Sequence, residues 1–460
     1  MIAILASRSF RGLIAGSLTA AGAACASKPI EVNTVAIVTL DTTGRAAVRV
    51  RKPAPARNFW GAMANLNPDY PETHPVGADE RQFATALRMI MNGEPDAAEL
   101  LLDSLRRNGT DSIVRSASRI LLTATLQYQD KWRDLADLAP IRTIATDSLD
   151  RDKASVELWA AAFKGVPIRR LTFPSADVVV PLTISTAGTP IIPVQINGKE
   201  EYFWLDTGSS MSIIASDVAA ATGVEPLVSD TLEVATSTGH VAARPASIHH
   251  LNIGGISIAN STAMIVADKL MEVRVGNPEN PAQTAKIDGI IGFDIISRLN
   301  VQVDYVKRVV RLSKPVHGVL NSPQRNFFWV GTPIVRLAGP GGVPVHLGLD
   351  TGAQETYATE RILEKIRLRT FVGERTRVGG MAGLKEFRGR FISDLRLTLS
   401  GKNLLFQNLL VFAPVVSTFV NLDGVLGSDI GRTGVVRMDA VNGIFRIEAA
   451  SDRGTASRLD

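Results

Sequence analysis

Two segments of the 460-residue chain repeat the same three residues in the same setting. One is Phe203-Trp204-Leu205-Asp206-Thr207-Gly208-Ser209-Ser210; the other is Leu347-Gly348-Leu349-Asp350-Thr351-Gly352-Ala353. Each places Asp-Thr-Gly directly behind an apolar residue that ends a β-like run. Carboxylates in duplicate are the groups from which a chain can assemble an acid and a base together. Two of them held about 3 Å apart cannot both ionise, so they share one proton. A lone Asp-Thr-Gly would be weak evidence and is ordinarily a turn. Asp41-Thr42-Thr43-Gly44 reads as such a turn.

The context of the two motifs raises their weight. Downstream of the first lies Ile287-Asp288-Gly289-Ile290-Ile291-Gly292-Phe293-Asp294-Ile295. Downstream of the second lies Leu422-Asp423-Gly424-Val425-Leu426-Gly427-Ser428-Asp429-Ile430. The strings match at both Asp, both Gly and the final Ile, with aliphatic residues between. Asp206 precedes Gly292 by 86 residues, and Asp350 precedes Gly427 by 77. Apolar strand patterns follow both strings, from Val301 to Leu312 and from Val435 to Ile447. The β region is therefore read as an internal duplication.

At these residues the chain resembles the pepsin/retropepsin-type aspartic peptidases, with both lobes in one polypeptide. That family carries an apolar-apolar-Asp-Thr-Gly loop in each lobe and a later apolar-apolar-Gly that passes beside it. Ile290-Ile291-Gly292 and Val425-Leu426-Gly427 match the later element; Gly348, ahead of Leu349, departs from the family pattern. The resemblance covers about residues 166–450. It implies a mainly β, bilobal acid-protease fold and an endopeptidase whose water is activated between Asp206 and Asp350. It needs neither metal nor organic cofactor, and no dimer is required to build the site. Thr207 and Thr351 would cross-link the two loops through their hydroxyls, although β-propensity alone also suits them. Gly208 and Gly352 would let backbone N–H groups approach the carboxylates. Ser209 is expected to donate to the outer oxygen of Asp206, which Ala353 cannot do for Asp350. That difference would leave the charge on Asp206 and the proton on Asp350. Thr236-Ser237-Thr238-Gly239 and Gly379-Gly380-Met381-Ala382-Gly383 are candidate covering flaps, and equally ordinary hairpin tips.

The remaining elements must carry this pair. Residues 30–50 have a strand–turn–strand pattern around Asp41–Gly44, and 52–75 read as Pro-rich linker. Helical spacing follows over 76–165: Phe83, Leu87 and Ile90; Ala98, Leu101 and Leu105; Val114, Ala117, Leu121 and Ala124; then Trp132, Leu135 and Leu138. Leu87…Gly93…Ala97…Leu100 recurs 35 residues later as Leu122…Tyr128…Trp132…Leu135, a period that resembles a tetratricopeptide-type repeat. Such helices either pack as ordinary core or present a groove to a protein partner. Lobe 1 is expected over 166–317 and lobe 2 over 318–450, with a polar tail at 451–460. Arg361–Arg369 reads as an amphipathic helix with Ile362, Leu363 and Ile366 inward.

Residues 1–26 have the layout of an export signal: Arg8 and Arg11, an apolar stretch over Gly12–Ala24, then small residues. Ala24-Cys25-Ala26 fits a cleavage site, whereas Gly22-Ala23-Ala24-Cys25 resembles a bacterial lipobox in which the cysteine becomes lipidated. Gly22 stands where such a motif usually has Leu. A buried N-terminal helix is the alternative to export. An exported, periplasmic or cell-envelope protein is expected, with membrane fractionation of Cys25→Ala as the test of the lipid anchor.

Composition removes several classes. The chain is 45% hydrophobic and 21% charged, with net charge +5. No basic stripe interleaved with aromatics appears, so a nucleic-acid partner is not expected. Cys25 is the only cysteine, which excludes an intrachain disulfide and a Cys-rich metal site. His249-His250 with His240 lacks acidic partners at ligand spacing and reads as solvated surface. Three roles stay open besides the peptidase itself. The chain could be a catalytically silent peptide-binding scaffold, or a zymogen whose residues 76–165 cover the cleft. The helical segment could also serve a protein partner.

Overall fold

The computed structural model describes residues 37–40, 58–138 and 158–449, apart from 186–187, 237–238, 275–283, 317, 319–324, 381–382, 413–419 and 432–433. The export segment with Cys25, the Asp41–Gly44 turn with the second arm of its hairpin, residues 139–157 and the polar tail lie outside the described residues.

The chain folds into an N-terminal helical module and two β lobes. Helices α1 (Phe59–Ala64) and α2 (Tyr70–Thr73) occupy the stretch expected to be linker. The Asn58 side chain caps α1 by accepting from the Gly61 N–H, and Phe59, Ala62 and Met63 are buried. Burial of this aromatic run against Phe83, in edge-on ring contacts at 5.2 and 6.3 Å, overrides the Pro-rich surroundings. Next come α3 (Ala78–Met91), α4 (Pro95–Asn108), α5 (Ser112–Tyr128), α6 (Trp132–Leu138) and α7 (158–163). Their starts are marked by Glu80 reaching back to the Gly77 N–H, Pro95 at the first position, and Asp111 accepting from Ile113 and Val114. The apolar stripes of Phe83, Leu87, Leu102, Leu105, Val114, Leu121 and Leu135 meet in the interior.

Each lobe is built on a nine-stranded sheet, and the two sheets have the same order. Lobe 1 runs Arg170–Thr172, Ile256–Val266, Ser212–Ala215, Gly289–Ile291, Lys199–Leu205, Pro190–Ile196, His240–Ile253, Leu232–Ala235, with Thr183–Ile184 beside Pro190–Ile196. Lobe 2 runs Ile37–Leu40, Lys402–Val411, Tyr357–Ala358, Gly424–Leu426, Pro344–Leu349, Pro333–Ala338, Gly383–Leu399, Thr370–Gly380, with Phe327–Trp329 beside Pro333–Ala338. Strand for strand, the duplication read from two short strings extends through the whole architecture.

The strand Ile37–Leu40 has a partner that the reading of residues 30–50 did not foresee. It lies antiparallel to Lys402–Val411, with Leu40 opposite Leu404, and fills in lobe 2 the edge that Arg170–Thr172 fills in lobe 1. Ladder bonds are indifferent to sequence distance, so a spacing pattern could not reveal this partner. A five-stranded sheet joins the lobes: Ile444–Ala449, Gly434–Asp439, Asn300–Asp304, Val309–Ser313 and Val178–Pro181. The helix expected over Arg361–Arg369 ends early, spanning Glu360–Lys365, with Ile362 and Ile366 buried.

Candidate active site

Each Asp-Thr-Gly loop leaves the end of a sheet strand and is gripped by the glycine-ended strand of its own lobe. In lobe 1, Gly289–Ile291 runs parallel to Lys199–Leu205, and the Asp206 N–H donates to Ile291 O at 3.0 Å. In lobe 2, Gly424–Leu426 runs parallel to Pro344–Leu349, and the Asp350 N–H donates to Leu426 O at 2.9 Å. The strand after each loop closes the other side, at Ser212–Ala215 and Tyr357–Ala358. Each aspartate is thus fixed at the open end of three neighbouring strands.

The loops meet head to head. The Thr207 N–H donates to Thr351 Oγ1 and the Thr351 N–H donates to Thr207 Oγ1, both at 3.0 Å. The same hydroxyls donate across the interface, Thr207 to Leu349 O at 3.0 Å and Thr351 to Leu205 O at 2.7 Å. Both threonines are buried. Four bonds therefore satisfy two hydroxyls, two N–H groups and two carbonyls that water cannot reach.

The glycines explain how the carboxylates come together. A Cβ built on Gly208 would lie within 2.7 Å of Cγ and both oxygens of Asp350; one on Gly352 would lie within 2.6 Å of the same atoms of Asp206. Each carboxylate rests on the bare backbone of the opposite loop. Asp206 Oδ1 accepts from the Gly208 N–H at 2.8 Å and the Gly352 N–H at 3.1 Å. Asp350 Oδ1 accepts from the Ala353 N–H at 2.9 Å. Burial, reinforced by the neighbouring Asp206 charge, pushes the Asp350 carboxyl up to about 7.

Ser209 does not play the part expected of it. Its hydroxyl donates to Met211 O at 2.6 Å, so the loop's own backbone takes the proton that Asp206 was to receive. The difference between the aspartates comes from backbone instead: two N–H donors on Asp206 against one on Asp350.

Several residues near the site carry no sequence motif. Buried Thr189 donates to Gly352 O at 3.3 Å, tying lobe 1 to the second loop. Tyr357, in the strand after that loop, has its phenol held un-ionised by burial and by the charge of Asp350. Asp294 and Asp429, each next to last in its duplicated string, do parallel work. Asp294 Oδ1 accepts from the Ser212 hydroxyl at 3.0 Å, and Asp429 Oδ1 from the Thr356 hydroxyl at 2.7 Å. Those hydroxyls accept from the Gly292 and Gly427 N–H groups, at 3.1 and 3.0 Å. In lobe 1, Arg169 also binds Asp294, with Nη2 at 2.7 Å from Oδ2. Burial raises the Asp294 carboxyl while that guanidinium pulls it down.

The candidate flaps are hairpins. Ala235 pairs with His240, and Thr236 closes the tip by donating to Gly239 O at 2.9 Å. In lobe 2, Gly380 pairs with Gly383. His240, His249 and His250 are exposed, and the described residues hold no cluster of three or more His, Cys, Asp or Glu suited to a metal.

Two like-built lobes presenting paired Asp-Thr-Gly loops are the arrangement of the pepsin/retropepsin-type aspartic proteases, which this site resembles. Residues 192–295 match the family model described as aspartyl protease. The match takes in the Asp206 loop and the Ile287–Ile295 string, both in lobe 1. No curated protein matches the chain.

Proposed function

We propose that the chain is an aspartic endopeptidase in which Asp206 and Asp350 act as one unit. The observation that carries this reading is the seating of each carboxylate on the other loop's glycine, with unequal hydrogen bonding. Two backbone donors favour the negative charge on Asp206, leaving the shared proton on Asp350.

In that state Asp206 takes a proton from a water lying between the carboxyls, and the water oxygen bonds to the peptide carbonyl carbon. Asp350 gives its proton to the carbonyl oxygen, forming a neutral tetrahedral diol. Collapse of the diol returns one hydroxyl proton to Asp350, and Asp206 passes its own to the departing nitrogen as the C–N bond breaks. Water is consumed, an acid and an amine result, and the pair regains its starting charge. Neither aspartate needs a covalent bond to substrate.

The test is cleavage of an unstructured peptide library by wild type, Asp206→Asn and Asp350→Asn. A loss of about 10³-fold or more in both variants is expected. Equal activity in all three would sink the catalytic reading. Binding of peptides without cleavage by the wild type would leave the silent scaffold in its place.

A further inference from the structure

The helical module meets lobe 1 behind the Asp206 loop, through a buried chain of charges. Asp130, at the turn between α5 and α6, lies 3.4 Å from Arg169 and 3.6 Å from Arg298. Arg169, whose side chain is 3% exposed, spans from Asp130 to Asp294 Oδ2 and also donates to Asp294 O and to Thr262 Oγ1. Asp294 receives the Ser212 hydroxyl, Ser212 receives the Gly292 N–H, and the neighbouring Ile291 O receives the Asp206 N–H. Four side chains thus connect a helical turn to the backbone of the first aspartate.

Two further observations tighten that connection. Asp130 has φ of 59°, a left-handed conformation that is costly for a residue with a side chain and persists where surrounding contacts hold it. Beside it, Tyr128 lies under the Arg298 guanidinium at 5.2 Å and stacks on Trp329 of lobe 2 at 5.7 Å. Trp329 in turn stacks on Phe293 at 5.3 Å, between Gly292 and Asp294. The module therefore grips the Gly292–Asp294 corner by charge from one side and by a ring stack from the other. Lobe 2 holds its corresponding Asp429 with the Thr356 N–H and hydroxyl, at 2.9 and 2.7 Å.

We infer that the helical module is a permanent positioning element of lobe 1, acting through Asp130, Arg169 and Asp294 on the Asp206 loop, and is not a detachable prosegment. This rests on the proposed peptidase function for its kinetic part only. Arg169 and Asp130 touch no substrate; they hold the corner against which the catalytic loop is set.

The test uses the full chain with Asp130→Asn, which keeps shape and tolerates the left-handed turn, and Arg169→Met as the stronger variant. Expected are a fall in kcat of about tenfold or more, KM within about twofold, and faster amide exchange over 206–212 and 289–294. The equivalent lobe 2 amides, 350–356 and 424–429, serve as internal control and keep their protection. An unchanged kcat overturns the inference, as does protection lost equally in both lobes, which would mean mere destabilisation. So does an activated species that has shed residues 58–163. If the wild type cleaves nothing, the peptidase reading fails, and lobe-selective exchange alone decides the coupling.

Discussion

Gln302 faces Arg437 across the antiparallel pair that joins the lobes, and each lies ten residues beyond the glycine of its own string, Gly292 and Gly427. The two are equivalent positions paired with one another. On either side of them, Asn300 opposes Asp439 and Asp304 opposes Val435, which are images of the same relation. The approximate two-fold axis of the duplication therefore passes between Gln302 and Arg437. The reciprocal bonds of Thr207 and Thr351 obey the same symmetry at the site.

A methyl group on either loop glycine has nowhere to go except into the opposite carboxylate. Gly352→Ala should displace Asp206, and Gly208→Ala should displace Asp350, with kcat/KM falling about 10²-fold or more while circular dichroism stays native. Near-wild-type cleavage by either variant would show that the chemistry does not occur at this pair.

Removing the Thr207 hydroxyl strands the Thr351 N–H and Leu349 O in a dry interface. Thr207→Ala should cost about 2–4 kcal/mol in urea denaturation, and Thr207→Ser about 1 kcal/mol or less, since serine keeps the hydroxyl. Equal losses for the two variants would shift the explanation to packing of the methyl group.

The acid of the pair gives stability a definite pH slope. Folded, Asp350 keeps its proton up to about 7, against 3.8 for the ordinary carboxyl. Between those values the folded chain binds more proton than the unfolded one, so this site's contribution is fullest below 3.8 and is lost as pH rises through about 7. Asp350→Asn removes the slope. Its stability relative to wild type should rise between about pH 4 and 8 in denaturation curves, and a difference that stays flat would contradict the shift.

Much of this was legible because it was written twice. Asp206, Asp350 and the two nine-residue strings betray the duplication in a linear text, and the glycine of each motif comes with it, although what requires that glycine is the carboxylate of the opposite loop. The Ser209 expectation failed for a local reason: a serine two residues before a turn carbonyl satisfies its own backbone first. Ile37–Leu40 and the Asp130–Arg169–Asp294 chain were illegible for a different one. Their partners lie far away in sequence, and no spacing rule carries that information. Phe59 and Trp60 were masked by the prolines around them, and only burial against Phe83 makes that stretch helical.

The placement of Ile37–Leu40 on lobe 2 also sets an order of assembly. The strand leaves the ribosome early, but its partner at Leu404 is made about 360 residues later. At about 5–20 residues per second, that is a wait of about 20–70 s. For lobe 2 the converse holds: its Leu404–Gln407 edge is covered only when Ile37–Leu40 docks on it. Until then the Leu404–Gln407 edge, with Leu404, Leu405 and Phe406, is an open template for strands of other chains. A strand made ahead of the helical module thus acts as the last clasp of a lobe made long after it.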